Sequence, residues 1–341
     1  MYRVLITGAG SYVGESVKKY IMSTSTEFEI ESVDTMNDAW KQADFSKYDV
    51  VYHVAGIAHV NADPKMEALY YKVNRDLTVE IAKHAQECGV KQFIFMSSQI
   101  VFHESQSLKT EVLTKETKEN PNGFYGDSKL QAEKGLLKLR EMSLKLKAES
   151  LENGDKSSLS SKLDTLSSEN SLSSKLNTLS SEESLSSKLD TLSYMKICIL
   201  RPCMIYGPNA KGNFPRLAKL ATKVPVFPAW HNQRSMLYID NLAEFVKLAI
   251  LRQLEGTFYP QNRELADTVE IIRYFAKAAG HKVWITRLFN PFVWLGSFVL
   301  QPINKMFATY YYDPEMSKMD FDYQLVSFDE SLKRVAESMK G

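Results

Sequence analysis

Arg3-Val4-Leu5-Ile6-Thr7-Gly8-Ala9-Gly10-Ser11-Tyr12-Val13-Gly14 joins a short β-rich run to a glycine loop and then to a helical pattern running towards Ile21. Glycines let a backbone turn tightly and approach a pyrophosphate, whose charge is favoured by the free amides of a helix N-terminus. Gly8, Gly10, Ser11, Tyr12, Val13 and Gly14 are therefore candidate dinucleotide contacts. The spacing here, Gly-x-Gly-x-x-x-Gly, departs from the simple dinucleotide fingerprint. A second β-rich run, Glu29 to Val33, ends at Asp34, about twenty residues beyond Gly14. An acidic side chain at that place accepts from an adenosine ribose hydroxyl and repels a 2′-phosphate. No Arg or Lys lies between Phe28 and Trp40, so NAD is preferred over NADP.

Further β-rich runs stand at Val50 to Val54, Phe93 to Met96 and Ile197 to Leu200, most of them followed by a helix-length segment. Such alternation implies parallel strands joined by right-handed crossovers. The expected fold is α/β, a doubly wound parallel sheet (Rossmann-like) with a smaller C-terminal substrate lobe that includes helices at Asn241 to Arg252 and Val269 to Ala279. One segment breaks the rhythm. Ser158 to Asn170 recurs as Ser171 to Glu183 and again, truncated, as Ser184 to Tyr194, a period of 13 residues. A step of that length turns a helix about 220° beyond whole turns, so the leucines of successive copies do not share a face. With its Ser-rich composition, this repeat reads as a flexible surface insertion. The expected organisation is a dinucleotide-binding domain over 1–142, the insertion over 143–193, and the rest of the sheet with the substrate lobe over 194–341.

A net charge of +1 on 341 residues, with 44% hydrophobic and 24% charged side chains, offers no global field for nucleic acid or membrane and suits a small-molecule partner. Cys88, Cys198 and Cys203 are odd in number and lack metal-like spacing, so neither a disulfide framework nor a metal site is expected and a reducing, cytoplasmic setting fits. The opening run is too short for a signal peptide. Phe292 to Leu300 is strongly apolar, but it is bracketed by Pro291 and Pro302 and falls short of the roughly 18 residues a membrane span needs. A buried helix is expected there, with an interfacial membrane contact as the alternative. His53 and His59 are expected to be packed or solvated rather than catalytic, and Tyr310-Tyr311-Tyr312 to pack in a core rather than frame a pocket.

Tyr125-Gly126-Asp127-Ser128-Lys129 opens a helical pattern, and the spacing of four puts Tyr125 and Lys129 on one face. A phenol is a poor base at neutral pH, but a nearby ammonium favours its ionised form. Ser97-Ser98 ends the run Phe93 to Met96, which places a hydroxyl at the carboxyl edge of a strand, where open α/β sheets bind ligands.

With Ser98, Tyr125 and Lys129 in that order, the chain resembles the extended short-chain dehydrogenase/reductase family, in the NAD-dependent epimerase/dehydratase branch typified by UDP-glucose 4-epimerase. The resemblance covers about 1 to 142 and 194 to 260. Ser11 stands where the family's Thr-Gly-x-x-Gly-x-x-Gly pattern has its middle glycine. Val54-Ala55-Gly56 looks like the third-strand cofactor segment, Asn74 like the cofactor-facing Asn, and Asp44-Phe45 like the adenine-contacting pair, with Ser97 also facing cofactor. Leu200 to Pro208 is similar to the family's Arg-Pro-x-x-x-Tyr-Gly-Pro segment. By the same resemblance, Asn213 and Arg234 would hold the substrate's diphosphate region, Arg with its forked donors. Gln99-Ile100 replaces the Asp-Glu pair of the family's dehydratases, which argues against dehydration. The resemblance thus implies an NAD-dependent 4-epimerase acting on a nucleotide sugar in surface or capsular polysaccharide precursor synthesis, and a cytoplasmic homodimer paired through two helices of each subunit. The rivals are a 4-keto nucleotide-sugar reductase and a non-catalytic dinucleotide-binding scaffold.

Overall fold

The computed structural model describes residues 1–58, 63–103, 105, 107–153 and 194–340; the repeats and His59 lie outside these residues. Strands β1 (Tyr2–Thr7), β2 (Phe28–Val33), β3 (Val50–His53), β4 (Gln92–Met96), β6 (Lys196–Leu200) and β10 (Gly256–Phe258) form one sheet in the order β2-β1-β3-β4-β6-β10. Every pairing in it is parallel. Each expected strand is present within a residue or two of its expected ends, β3 stopping at His53 and leaving Val54 to the loop.

Period-2 alternation explains why both faces of this sheet are covered. Val4, Ile6, Val50, Tyr52, Ile94, Met96, Cys198 and Leu200 point into one core, while Leu5, Val51, Phe93, Phe95, Ile197 and Ile199 point into the other. Strands buried on both sides read as continuous apolar runs, which is how they were legible in the sequence. Helix α1 (Tyr12–Thr24) lies on the first face beside the helix Ile239–Leu251, where the Tyr20 hydroxyl donates to Glu244 Oε2 at 3.0 Å. Helices α2 (Glu67–Tyr70), α3 (Leu77–Glu87) and α4 (Phe124–Asn153) follow in the chain, α3 and α4 contributing Ile81, Ala85, Ala132 and Leu136 to the second core.

The C-terminal lobe adds three parallel strand pairs: β5 (Glu111–Leu113) with β12 (Tyr310–Tyr312), β7 (Met204–Tyr206) with β9 (Met236–Tyr238), and β8 (Val226–Pro228) with β11 (Trp284–Thr286). Its apolar residues, from Phe214 to Ala336, are continuous with the core over the first sheet face. Tyr310 and Tyr312 are buried there, as expected.

One expectation is corrected, and one boundary falls inside a helix. Helix α4 continues to Asn153, into the stretch assigned to the insertion. Phe292 to Leu300 is not a buried helix: in the helix Asn290–Ser297 only Val293 reaches the core, and Phe292, Trp294, Leu295, Phe298, Val299 and Leu300 face solvent. Apolar composition alone does not bury a helix that lacks a neighbour on its outer side.

Candidate active site

The sheet order changes direction between β1 and β3, and the loops leaving their carboxyl ends meet there, the switch-point crevice of an open α/β sheet. Gly8 has φ 111° and Gly10 φ 76°, conformations open to glycine, and a Cβ on Gly8 would lie 2.8 Å from the Ala55 nitrogen. Ser11, in contrast, has φ −71° and caps α1, its hydroxyl accepting from the Gly14 amide at 3.2 Å. This explains the departure from the glycine pattern: position 11 needs a helix cap and no left-handed backbone. The Tyr12 ring reaches across to the loop at Gly207, and Val13 and Val54 pack against the first core.

Asp34 follows β2 and Asp44 is exposed; Oδ1 of each caps its own loop, accepting from the Met36 amide and the Ser46 amide respectively at 2.9 Å. Phe45 is fully buried, its ring 4.6 Å from that of His84, so its side chain belongs to the core. His53 is structural, as expected. Thr78 gives its one hydroxyl proton to the Asn74 carbonyl at 2.8 Å, so His53 Nε2 donates to Thr78 at 3.0 Å and bare Nδ1 accepts from Thr7 at 2.7 Å. Burial, helped by the Lys129 charge, pushes the imidazole down to about 3.

Asn74 lies in a π-helical turn, Tyr71–Asp76, a form that recurs at functional sites. Its Oδ1 accepts from the Ile57 amide at 2.8 Å, and its Nδ2 donates to Ser128 Oγ at 3.1 Å. A Cβ at Gly56 would sit 3.0 Å from Asn74 Oδ1 and 3.1 Å from Lys129 Nζ, so the third-strand loop, Asn74 and Lys129 converge.

Ser98 caps the short turn Gln99–Val101, and its side chain hydrogen-bonds to that of Tyr125. Gly126 permits this approach. A Cβ there would meet the Ile100 carbonyl oxygen at 2.7 Å, so only glycine lets the first turn of α4 lie against the Ser98 turn. Burial pushes the Tyr125 phenol up to about 12, with the Ser98 bond opposing. Lys129, 5% exposed, donates to the Met96 carbonyl at 2.8 Å and lies 4.7 Å from the Phe95 ring centroid. Burial pushes its ammonium down to about 8 against the pull of Glu133. The expected lowering of the phenol is therefore reversed in the chain alone, because desolvation outweighs the hydrogen bond that favours ionisation.

Beneath these residues lies an ion network that sequence reasoning missed. Arg201 donates to both carboxylate oxygens of Glu133, at 3.1 Å from Nε to Oε1 and 2.6 Å from Nη2 to Oε2, and pairs with Glu119 at 2.8 Å. The Ser97 hydroxyl is engaged by Glu133 rather than turned towards the crevice. Glu133 stands four residues after Lys129, which was the available signal. In the lobe, Asn213 is exposed at the start of its helix, and half-buried Arg234 sits between β-bridges to Ala266 and Tyr310. Two surface hollows of about 390 and 360 Å³ lie elsewhere, one along Ser317 to Gln324 and one at the opposite sheet edge around Arg3, Asp49 and Lys91.

A model of the NAD dependent epimerase/dehydratase family matches residues 4–153. UDP-glucose 4-epimerase of Vibrio cholerae is 27% identical over 303 residues, covering 82% of this chain and 77% of that protein. Among solved structures, UDP-glucuronic acid 4-epimerase from Bacillus cereus, in complex with NAD, superposes with a TM-score of 0.62 at 17% identity, covering 99% of this chain and 96% of that one. A dTDP-4-dehydrorhamnose reductase from Clostridium acetobutylicum gives the same score and identity, covering 99% and 100%. At these identities the structural likenesses speak for the fold.

Proposed function

The chain belongs to the NAD-dependent epimerase/dehydratase family, and from that premise we propose that it is an NAD-dependent 4-epimerase of a nucleotide sugar, serving surface or capsular polysaccharide precursor synthesis. The observation that carries this reading is the Ser98–Tyr125 hydrogen bond at the carboxyl edge of β4, with Lys129 one helical turn on and converging with Gly56 and Asn74.

The crevice fits NAD. Nothing lies within 4 Å of a Cβ placed on Gly10, so the loop's outer face is open to a diphosphate beside the α1 N-terminus. Asp34 supplies an acceptor at the ribose position, and its charge disfavours a 2′-phosphate. When bound, NAD supplies reversible hydride acceptance. The other tasks fall to the chain. Tyr125 takes and returns the proton at the sugar O4, Ser98 orients that oxygen, and Lys129 holds a ribose hydroxyl. The positive charge of a bound nicotinamide works against the burial that raises the phenol in the chain alone. Asn213 and Arg234 would hold the substrate's diphosphate, and pairing of two copies through two helices of each belongs to the same reading.

The test is incubation with UDP-, dTDP- and GDP-sugars while cofactor redox state is followed. Interconversion of C4 epimers without net change in NADH is expected. Steady NADH oxidation on a 4-keto sugar would assign a reductase, and NAD binding without turnover on any sugar would assign a scaffold.

A further inference from the structure

The strand β11 and the helix Asn290–Ser297 leave large apolar side chains in water. Trp284, Phe292, Trp294, Leu295, Phe298 and Val299 are each between 55% and 81% exposed. Trp294 and Phe298 meet edge to face at 5.1 Å, and the rings of Phe289 and Phe292 lie 6.2 Å apart. An apolar face of this kind marks an interaction surface.

Charge indicates what covers it. From Ile271 to Tyr312 the chain carries Arg273, Lys277, Lys282, Arg287 and Lys305 and no Asp or Glu, although 41 of its 341 residues are acidic. Lys282, Arg287 and Lys305, in or next to the stretch that carries the apolar face, are exposed. Aromatic and aliphatic side chains on a short helix, in a stretch of chain whose charged residues are all basic, have the composition of an interfacial membrane element. Tryptophan favours the headgroup layer, and an anionic leaflet attracts the lysines and arginines. A second copy of the chain would bring the same basic set against itself, which opposes self-pairing here.

We infer that the face formed by residues 284–300 docks peripherally on an anionic lipid bilayer. Among the described residues no helix is long and apolar enough to cross a membrane, so the element lies on the surface. The chain just after the face is linked to the Ser98 region. Gln301 Nε2 donates to the Ser105 carbonyl at 3.2 Å and the Tyr310 hydroxyl to the His103 carbonyl at 2.7 Å, tying this region to the loop that follows the Ser98 turn.

The experiment is cosedimentation of the full chain, without cofactor or sugar, with phosphatidylcholine vesicles containing or lacking phosphatidylglycerol. Binding to the phosphatidylglycerol vesicles, weakened by salt, is expected. The double variant Phe292→Ser/Phe298→Ser should lower that affinity by about tenfold or more, while Leu325→Ser, an exposed apolar residue outside the face, changes nothing. Circular dichroism of the variants checks that they fold. No binding to anionic vesicles, or binding equal in parent and double variant, overturns the inference. So does a parent that self-associates through this face in sedimentation velocity without binding vesicles, or vesicle binding that emerges only when 154–193 is deleted.

Discussion

The candidate catalytic edge of the sheet and the face at 284–300 break the usual partition of side chains in opposite directions. At the edge, Lys129, Glu133, Arg201 and His53 are buried, and each is held by hydrogen bonds. On the face, Trp294, Leu295 and Phe298 are apolar and stand in water. A buried charge without partners is costly, and at the edge Arg201 and Glu133 offset that cost by pairing with each other, while Lys129 meets the Met96 carbonyl. An exposed ring needs no such network, and its cost persists until another surface covers it. Polar groups inside are thus held by what pairs with them, whereas apolar groups outside are left largely uncovered by the described chain.

The sharpest way to break this contrast is Tyr125→Phe. Turnover should fall by about two to four orders of magnitude while NAD binding, followed by fluorescence titration, stays near normal. Near-normal turnover would remove chemistry from the edge. Next comes Glu133→Ala, which leaves buried Arg201 with only the part-exposed Glu119 as ionic partner; urea unfolding should show a loss of about 3 kcal/mol. A loss below about 1 kcal/mol would mean that the network is not what holds the edge.

His53 allows a pH test of the same interior. An unfolded histidine, titrating near 6.5, binds a proton that folded His53, pushed down to about 3, does not. Its contribution is therefore fully present above about pH 6.5 and is lost as the pH falls towards 3, at up to about 1.4 kcal/mol per pH unit. The stability difference between the parent and His53→Gln should accordingly shrink by about 2 kcal/mol from pH 7 to pH 5 in urea unfolding. A difference independent of pH would contradict a neutral, buried imidazole. The smallest effect belongs to the face: Phe292→Ser/Phe298→Ser should leave unfolding stability within about 0.5 kcal/mol of the parent, because the rings are already in water. A larger loss would show that they pack on the protein.

Much of the site was legible because its rules are local. Tyr125 and Lys129 share a helical face by spacing, Ser98 ends a strand, and Gly8 and Gly10 open the turn between β1 and α1. The same spacing extends to Glu133, yet a carboxylate on a helix reads as a solvated position until Arg201, 68 residues away, is known to meet it. Ser11 departed from the glycine pattern for a reason that only its cap geometry explains.

By itself the sequence determined five of the six strands of the central sheet and their order in the chain, since strand alternation, helix periodicity and turn chemistry act over a few neighbouring residues. Tertiary structure alone decided which carboxylate meets Arg201, why burial raises the Tyr125 phenol, and that Phe292 to Leu300 finds no cover. Burial and pairing are properties of what packs against a residue, and in this fold those neighbours come from segments far apart in the chain.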